Sequence, residues 1–160
     1  MRTYSGHRQP DFHVRYRFFS PAEGGRSTPP RQHTRWDFLY ADDDPRRDRL
    51  YMIWPEFIDP AGSVWPEGEV PMEGDALMFI VNPDWVSQHR QRIAVGTRGF
   101  FMEGSRKVAA CEVTALLGLS VQPGKTWMSY GGVNSVNGQR GCARISAGST
   151  WPANKRWQPA

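Results

Sequence analysis

The sequence has little cysteine and no long apolar run. Its 160 residues include only two cysteines, Cys111 and Cys142. Two thiols are too few for a disulfide framework, so we expect no disulfide and a reducing compartment. No apolar stretch is long enough to span a bilayer, and the first twenty residues lack the apolar core of a secretory signal. These absences predict a cytoplasmic protein with no membrane partner.

Patterns typical of metal sites and catalysis are also missing. The four histidines stand in unrelated segments, and neither cysteine has a second metal ligand at close spacing, so we predict no metal and no cofactor. The stretch GLSVQPGKT at 118–126 is one residue too long for a phosphate-binding loop, which excludes a nucleotide at this position. No serine-hydrolase elbow is present. An enzymatic alternative would have to use Cys111, which lies in the strand-like run KVAACEVTALL, where a packing role is expected.

Acidic residues are absent from the last quarter of the sequence. All 16 acidic residues precede residue 120, whereas residues 120–160 contain five of the 20 basic residues. The same segment is rich in Gly, Ser, Asn and Pro and has no apolar periodicity, so we predict a basic, poorly ordered and flexible tail over 120–160. Such a tail could contact anionic surfaces loosely, or it could be a solvated appendage without a partner.

The rest of the sequence favours strands and turns. It is rich in large aromatic residues, with 16 Gly and 13 Pro in the whole chain as punctuation,. Val14, Tyr16 and Phe18 alternate with polar neighbours, a period of two that is typical of a half-buried strand. Further strands are predicted over 35–40, 50–54, 76–81, 92–95, 98–102 and 107–117, with a loop over 20–30 and an irregular connection over 55–73. We therefore predict an all-β barrel or sandwich over 11–119, after a flexible lead-in over 1–10.

Two glycine turns give this pattern a more specific meaning. The stretch EGGRSTP at 23–29 and the pattern R-x-x-x-x-E-G-S-R-x-V at 98–108 resemble the two signature stretches of the third, C-terminal domain of bacterial elongation factor Tu. PMEGD at 71–75 resembles the M-P-G-D turn of that family, and IAVGTR at 93–98 resembles another of its segments with two residues lost. The resemblance covers about residues 11–119. It implies a closed six-stranded antiparallel β-barrel, without the GTPase domain of the full factor.

The resemblance also implies candidate binding residues. In that family the third domain contacts the T-stem of tRNA and docks on the GTPase domain. The positions that match its motifs, together with neighbouring arginines, form our candidate set for binding RNA or a partner: Arg26, Arg35, Arg98, Glu103, Gly104 and Arg106. Asp37 stands where the family commonly has Gln and brings a negative charge close to this set.

These residues leave three functional hypotheses open. The first is a non-enzymatic binding module that docks on a protein partner, with Trp36, Trp54, Trp65 and Trp85 as anchors if they are exposed. The second is binding of structured RNA through the Arg26 loop and the Glu103–Gly104 turn. The third is the enzyme that uses Cys111. A purely structural role of the two turns, in which Arg26 and Arg106 pair with Glu23 and Glu103, is an alternative to any binding role.

Overall fold

The computed structural model describes residues 3–120, which form a closed antiparallel β-barrel. Its strands, numbered in chain order, are β1 (Phe12–Phe18), β2 (Trp36–Tyr40), β3 (Tyr51–Ile58), β4 (Glu73–Ile80), β5 (Arg98–Glu103) and β6 (Arg106–Leu116). Around the barrel they follow the order β1, β4, β3, β2, β5, β6, and β6 pairs again with β1. The predicted closed six-stranded barrel is therefore confirmed. The predicted tail over 120–160 lies, except for Ser120, outside the described residues.

The barrel interior is filled by one face of every strand. Val14, Tyr16 and Phe18 of β1 are at most 3% exposed, as their alternation with polar residues predicts. Phe18 packs on Trp36, Phe57 and Phe101, which come from three other strands, with ring centroids 5.6–6.0 Å apart. Aromatic contacts across the centre thus connect strands that are not hydrogen-bonded to each other.

Strand β3 continues through a proline that the sequence predicts to end it. Pro55 pairs in register with Met78 of β4, and the strand runs to Ile58. The backbone N–H of Phe57, two residues further along the same strand, is directed away from β4 and donates to Gln32 Oε1 at 3.0 Å. Residues two apart direct their N–H groups to the same side, and β2 pairs with β3 only as far as Ile53,. The missing N–H of Pro55 therefore costs no strand-to-strand hydrogen bond.

The strand predicted over 92–95 is wrong, because a helix ends there. Helix α1 spans Val86–Arg92 and follows the 3₁₀ turn Pro83–Trp85. The Asn82 side chain accepts a hydrogen bond from the backbone N–H of Asp84 at 3.0 Å, and Pro83 occupies the first helical position. Asparagine followed by proline is a typical helix start. The short apolar run after Arg92 leads out of the helix, and only Ile93 of that run joins the core.

Three short segments form turns outside the strands and helix α1. The 20–30 loop contains a 3₁₀ turn, Pro21–Glu23, and another 3₁₀ turn, Gly118–Ser120, follows β6. Within the predicted lead-in over 1–10, residues 4–8 form a turn whose Tyr4 ring packs on Trp54 and Phe79. The segment is mostly polar, so its composition does not indicate packing. The aromatic ring of Tyr4 nevertheless provides apolar surface that is buried against the barrel.

Candidate interface at the barrel rim

The first glycine loop is shaped by its own backbone. The Glu23 carboxylate accepts a hydrogen bond from the backbone N–H of Ser20 at 2.8 Å, and it forms an ion pair with Arg17 at 3.0 Å. These contacts hold the pKa of the Glu23 carboxyl below its usual value. Gly24 follows with φ +84°, a conformation that favours glycine,. Glu23 is thus engaged by Ser20 and by Arg17 of β1. Of the two carboxylates named in the purely structural alternative, Glu103 is the one that pairs with both Arg26 and Arg106.

The second glycine turn is a tight hairpin. Glu103 and Arg106 pair at the ends of β5 and β6, and Gly104 between them has φ +61°. Nothing lies within 4 Å of the position where a Cβ of Gly104 would be. The backbone at this turn is therefore open to a partner.

The two loops meet through one carboxylate. Arg26 Nη1 lies 3.4 Å from Glu103 Oε1, and the second oxygen of Glu103 pairs with Arg106. Arg26 also donates to Thr28 Oγ1 at 2.9 Å, and its guanidinium lies 5.1 Å from the centroid of the Trp36 ring. We call Arg26, Glu103 and Arg106 the rim cluster. Because several contacts fix the guanidinium of Arg26, its geometry is set before any partner binds.

The rim cluster is accessible and carries excess positive charge. Its side chains are 25%, 39% and 52% exposed for Arg26, Glu103 and Arg106. Arg35 is exposed just before β2, and continuing the β2–β5 register places it opposite Gly104. Asp37, half-buried and in register with Met102, adds a negative charge on the neighbouring strand. Two guanidinium groups share one carboxylate, so the surface can still bind an anionic group.

Arg98 is the one candidate residue that the structure places elsewhere. It begins β5, whereas Glu103 ends it, a separation of about 17 Å along an extended strand,. Its guanidinium Nε donates to Glu112 Oε2 at 3.0 Å. Five of the six candidates therefore lie at one end of the barrel, and Arg98 lies at the other end.

Sequence reasoning missed a second polar group, which lies near Arg98. Arg92 at the end of α1 makes two hydrogen bonds of 2.8 and 2.9 Å to Asp43, and its guanidinium lies 3.7 Å from the centroid of the Tyr40 ring. Tyr40, Arg92 and Arg98 line a cleft of about 400 Å³. The signal that could have revealed this group is the Asn82–Pro83 helix start, which would have placed Arg92 on a helix.

A buried histidine lies behind this cleft. His89 is fully buried, and its Nδ1 is 2.7 Å from Tyr40 Oη. Burial, and to a smaller extent the charge of Arg92, lowers the pKa of His89 to about 4. Burial likewise raises the pKa of Tyr40. Both groups are therefore neutral at pH 7, so they act as packed members of the core with a shared hydrogen bond.

Other residues considered from the sequence have packing environments. Cys111 is 1% exposed inside the core cluster, and burial raises the pKa of its thiol,. Trp36 is buried, while the other three candidate anchor tryptophans, Trp54, Trp65 and Trp85, are half-buried. Within residues 3–120, no group of three or more His, Cys, Asp or Glu side chains could hold a metal ion. No helix in that part of the chain is long and apolar enough to cross a membrane.

No protein-family model matches the chain, and no curated protein matches it.

Proposed function

We propose that this protein is a non-enzymatic binding module, related to the third domain of elongation factor Tu, whose rim cluster docks on a protein partner. The observation that carries the proposal is the Arg26–Glu103 ion pair at 3.4 Å. It connects two glycine loops that are far apart in the sequence and gives their charged side chains one fixed arrangement. A preformed and accessible charged surface is suited to recognition, because little side-chain freedom is lost on binding.

The partner that fits this surface presents carboxylates. Arg26 and Arg106 share Glu103, so each guanidinium retains donors for an incoming acceptor,. Arg35 adds an exposed positive charge beside the same turn. The buried Trp36 ring lies beneath the Arg26 guanidinium, 5.1 Å from ring centroid to guanidinium carbon, and supports it from the barrel side,.

Binding of structured RNA is the second candidate, favoured by the same excess of guanidinium groups. Arginine side chains and an exposed glycine backbone can contact phosphates of an RNA stem without reading bases. Asp37, in register with Met102, places a negative charge close to the turn and repels phosphates and carboxylates alike,. The two candidates differ in their salt dependence: RNA affinity falls steeply with ionic strength, in proportion to the number of phosphates contacted.

The test compares two double charge reversals in the full-length chain. Arg26→Glu with Arg106→Glu alters the rim cluster, and Arg46→Glu with Arg47→Glu makes the same charge change at the exposed turn between β2 and β3. Proteins that the wild-type chain and the control variant capture from a cell extract, but the rim variant does not, are the expected partners. The RNA arm measures binding of a transfer RNA between 50 and 300 mM salt. Equal binding by the two variants would overturn the proposal, and strong, steeply salt-dependent RNA binding lost only in the rim variant would favour the second candidate.

A further inference from the structure

The outer face of β3 and β4 carries a covered aromatic site. Ile53 and Phe57 of β3 lie in the core cluster, so Trp54 and Glu56 lie on the opposite, outer face of the strand. Phe79 of β4 is the direct cross-strand neighbour of Trp54. Glu56 and Phe79 are nevertheless fully buried. An outer face of a barrel that is buried to this extent must be covered by another segment.

Residues 4–8, which we call the N-terminal strap, cover this site. The Tyr4 ring lies 5.4 Å from Trp54 and 5.5 Å from Phe79, measured between ring centroids. The guanidinium of Arg8 lies 5.6 Å from the Phe79 ring centroid. The backbone N–H groups of His7 and Arg8 both donate to the Tyr4 carbonyl at 2.9 Å, which closes the strap into a turn.

The buried carboxylate of Glu56 is satisfied by the backbone of the strap. The N–H of Tyr4 donates to Glu56 Oε1, and the N–H of Ser5 lies 3.3 Å from each carboxylate oxygen. A buried carboxylate needs hydrogen-bond donors, because it has lost its water. Here the donors are backbone amides, which any peptide can offer, while the aromatic ring of Tyr4 provides the sequence-specific contact.

The strap leaves other polar atoms of the site unsatisfied. Trp54 Nε1 and both ring nitrogens of His33 are buried without a hydrogen-bond partner among the described residues. His33 stacks on Trp54, with centroids 6.2 Å apart, and has φ +62°, a rare conformation for a residue with a side chain,. A different occupant of this site could therefore make hydrogen bonds to Trp54 and His33 that the strap does not make.

We propose that this outer face is a peptide-binding site, that the N-terminal strap occupies it in cis, and that a peptide segment of a partner protein replaces the strap. The fitting segment has an aromatic side chain for Trp54 and Phe79, consecutive backbone amides for Glu56, and carbonyl oxygens for the indole and imidazole N–H groups. The strap competes as a tethered ligand at an effective concentration on the order of millimolar. A partner peptide that makes the hydrogen bonds missing from the strap has a higher intrinsic affinity for the site than the strap has.

The first test uses a synthetic peptide of residues 1–10 and the full-length chain with Tyr4→Ala. Loss of the ring weakens the cis ligand, so titration calorimetry is expected to show at least tenfold tighter peptide binding by this variant than by the wild-type chain. The same peptide with alanine in place of Tyr4 is the control and should not bind. Adding Glu56→Gln to the variant should weaken binding at least tenfold. Equal affinity for wild-type and variant chains, or no effect of Glu56→Gln, would overturn the proposal.

A second measurement needs no variant that might misfold. Amide hydrogen exchange of the wild-type chain at Tyr4 and Ser5 should be at least tenfold faster than at the paired amides of β3, because the strap opens without the barrel. Exchange as slow as that of β3 would show a strap that partners cannot displace.

A third experiment selects tighter ligands for the site. Panning a random-peptide library on the Tyr4→Ala chain should yield peptides that bind more tightly than the strap peptide, and this difference in affinity should be lost on His33→Phe. A library without tighter ligands would contradict the role of the unsatisfied nitrogens.

Discussion

Gly25 shows how one residue controls the shape of the rim. A Cβ on Gly25 would lie 1.9 Å from the carbonyl oxygen of Phe19, so no side chain fits unless the backbone moves. The neighbouring Gly24 has open space at its Cβ position but φ +84°. The two glycines are therefore required for different reasons, close packing in one case and backbone conformation in the other.

These reasons predict different costs of substitution. Gly25→Ala should lower the free energy of unfolding by about 2–3 kcal/mol, since the backbone of the loop must shift. Gly24→Ala should cost about 1 kcal/mol, the strain of a left-handed residue. Urea unfolding of both variants measures the difference. A smaller loss for Gly25→Ala than for Gly24→Ala would contradict the packing described for this loop.

His89 makes stability depend on pH. Its folded pKa of about 4 lies below the ordinary value of 6.5, so the unfolded chain binds the proton first as the pH falls. Stability from the neutral, buried ring is present above pH 6.5 and is lost between pH 6.5 and 4. The free energy of unfolding should therefore fall by about 2 kcal/mol from pH 7 to pH 5 through this group.

The variant His89→Gln isolates that contribution. Urea unfolding at pH 7 and pH 5 should show a smaller loss in the variant than in the wild-type chain. Part of the slope should remain, because burial also lowers the pKa of His13. An unchanged slope in the variant would contradict a neutral, buried His89.

At the scale of elements, the contact of Arg92 with the turn after β2 holds helix α1 to the barrel. Arg92 bonds twice to Asp43, which is 13% exposed, and stacks on Tyr40. By contrast, Arg47 is 86% exposed and lies 3.8 Å from Asp44. The two ion pairs therefore differ in how much water surrounds them.

Removing the two guanidinium groups should have unequal effects. Arg92→Met should lower the free energy of unfolding by about 1.5–3 kcal/mol, because it leaves Asp43 without its charged donor. Arg47→Met, the matched control, should change it by less than about 1 kcal/mol. Thermal or urea unfolding compares them. Similar values for both variants would mean that Arg92 does not join the helix to the barrel.

The sequence patterns predict strands better than they predict helix α1 or the strap. Alternation over Val14–Phe18 predicts β1 because polar and apolar residues occupy opposite faces,. Pro55 interrupts the pattern of β3, since only the three-dimensional pairing reveals that its missing N–H faces away from β4. The helix was missed because the apolar residues after Arg92 resemble a short strand, and seven helical residues carry little periodicity.

At the scale of the whole molecule, the meeting of the two glycine loops could not be derived from local patterns. Barrel closure brings them together, and the resemblance to a known domain predicted that closure. The pairing of Arg26 with Glu103 was less predictable from the sequence. Glu23 is closer to Arg26 in the sequence, but its carboxylate is engaged by Arg17 and Ser20. The position of Arg98 was also not predictable from local patterns. Arg98 and Arg106 look alike in the sequence, but the six residues of β5 place them at opposite ends of the barrel.

Two outer surfaces of one barrel thus have distinct chemistry. The rim cluster is charged, accessible and fixed by ion pairs. The site under the N-terminal strap is aromatic and buried around Glu56. The two proposals therefore concern different parts of the barrel, since one surface is formed by loops at its end and the other by the outer face of β3 and β4.

Hydrogen exchange of the full-length chain, alone and bound to a protein partner captured as described above, tests the central role of the rim most directly. The account predicts slowed exchange in the loops over 20–35 and 103–106, with little change around Asp43 and Arg92 at the cleft. Slowed exchange confined to that cleft, with the two glycine loops unaffected, would contradict it.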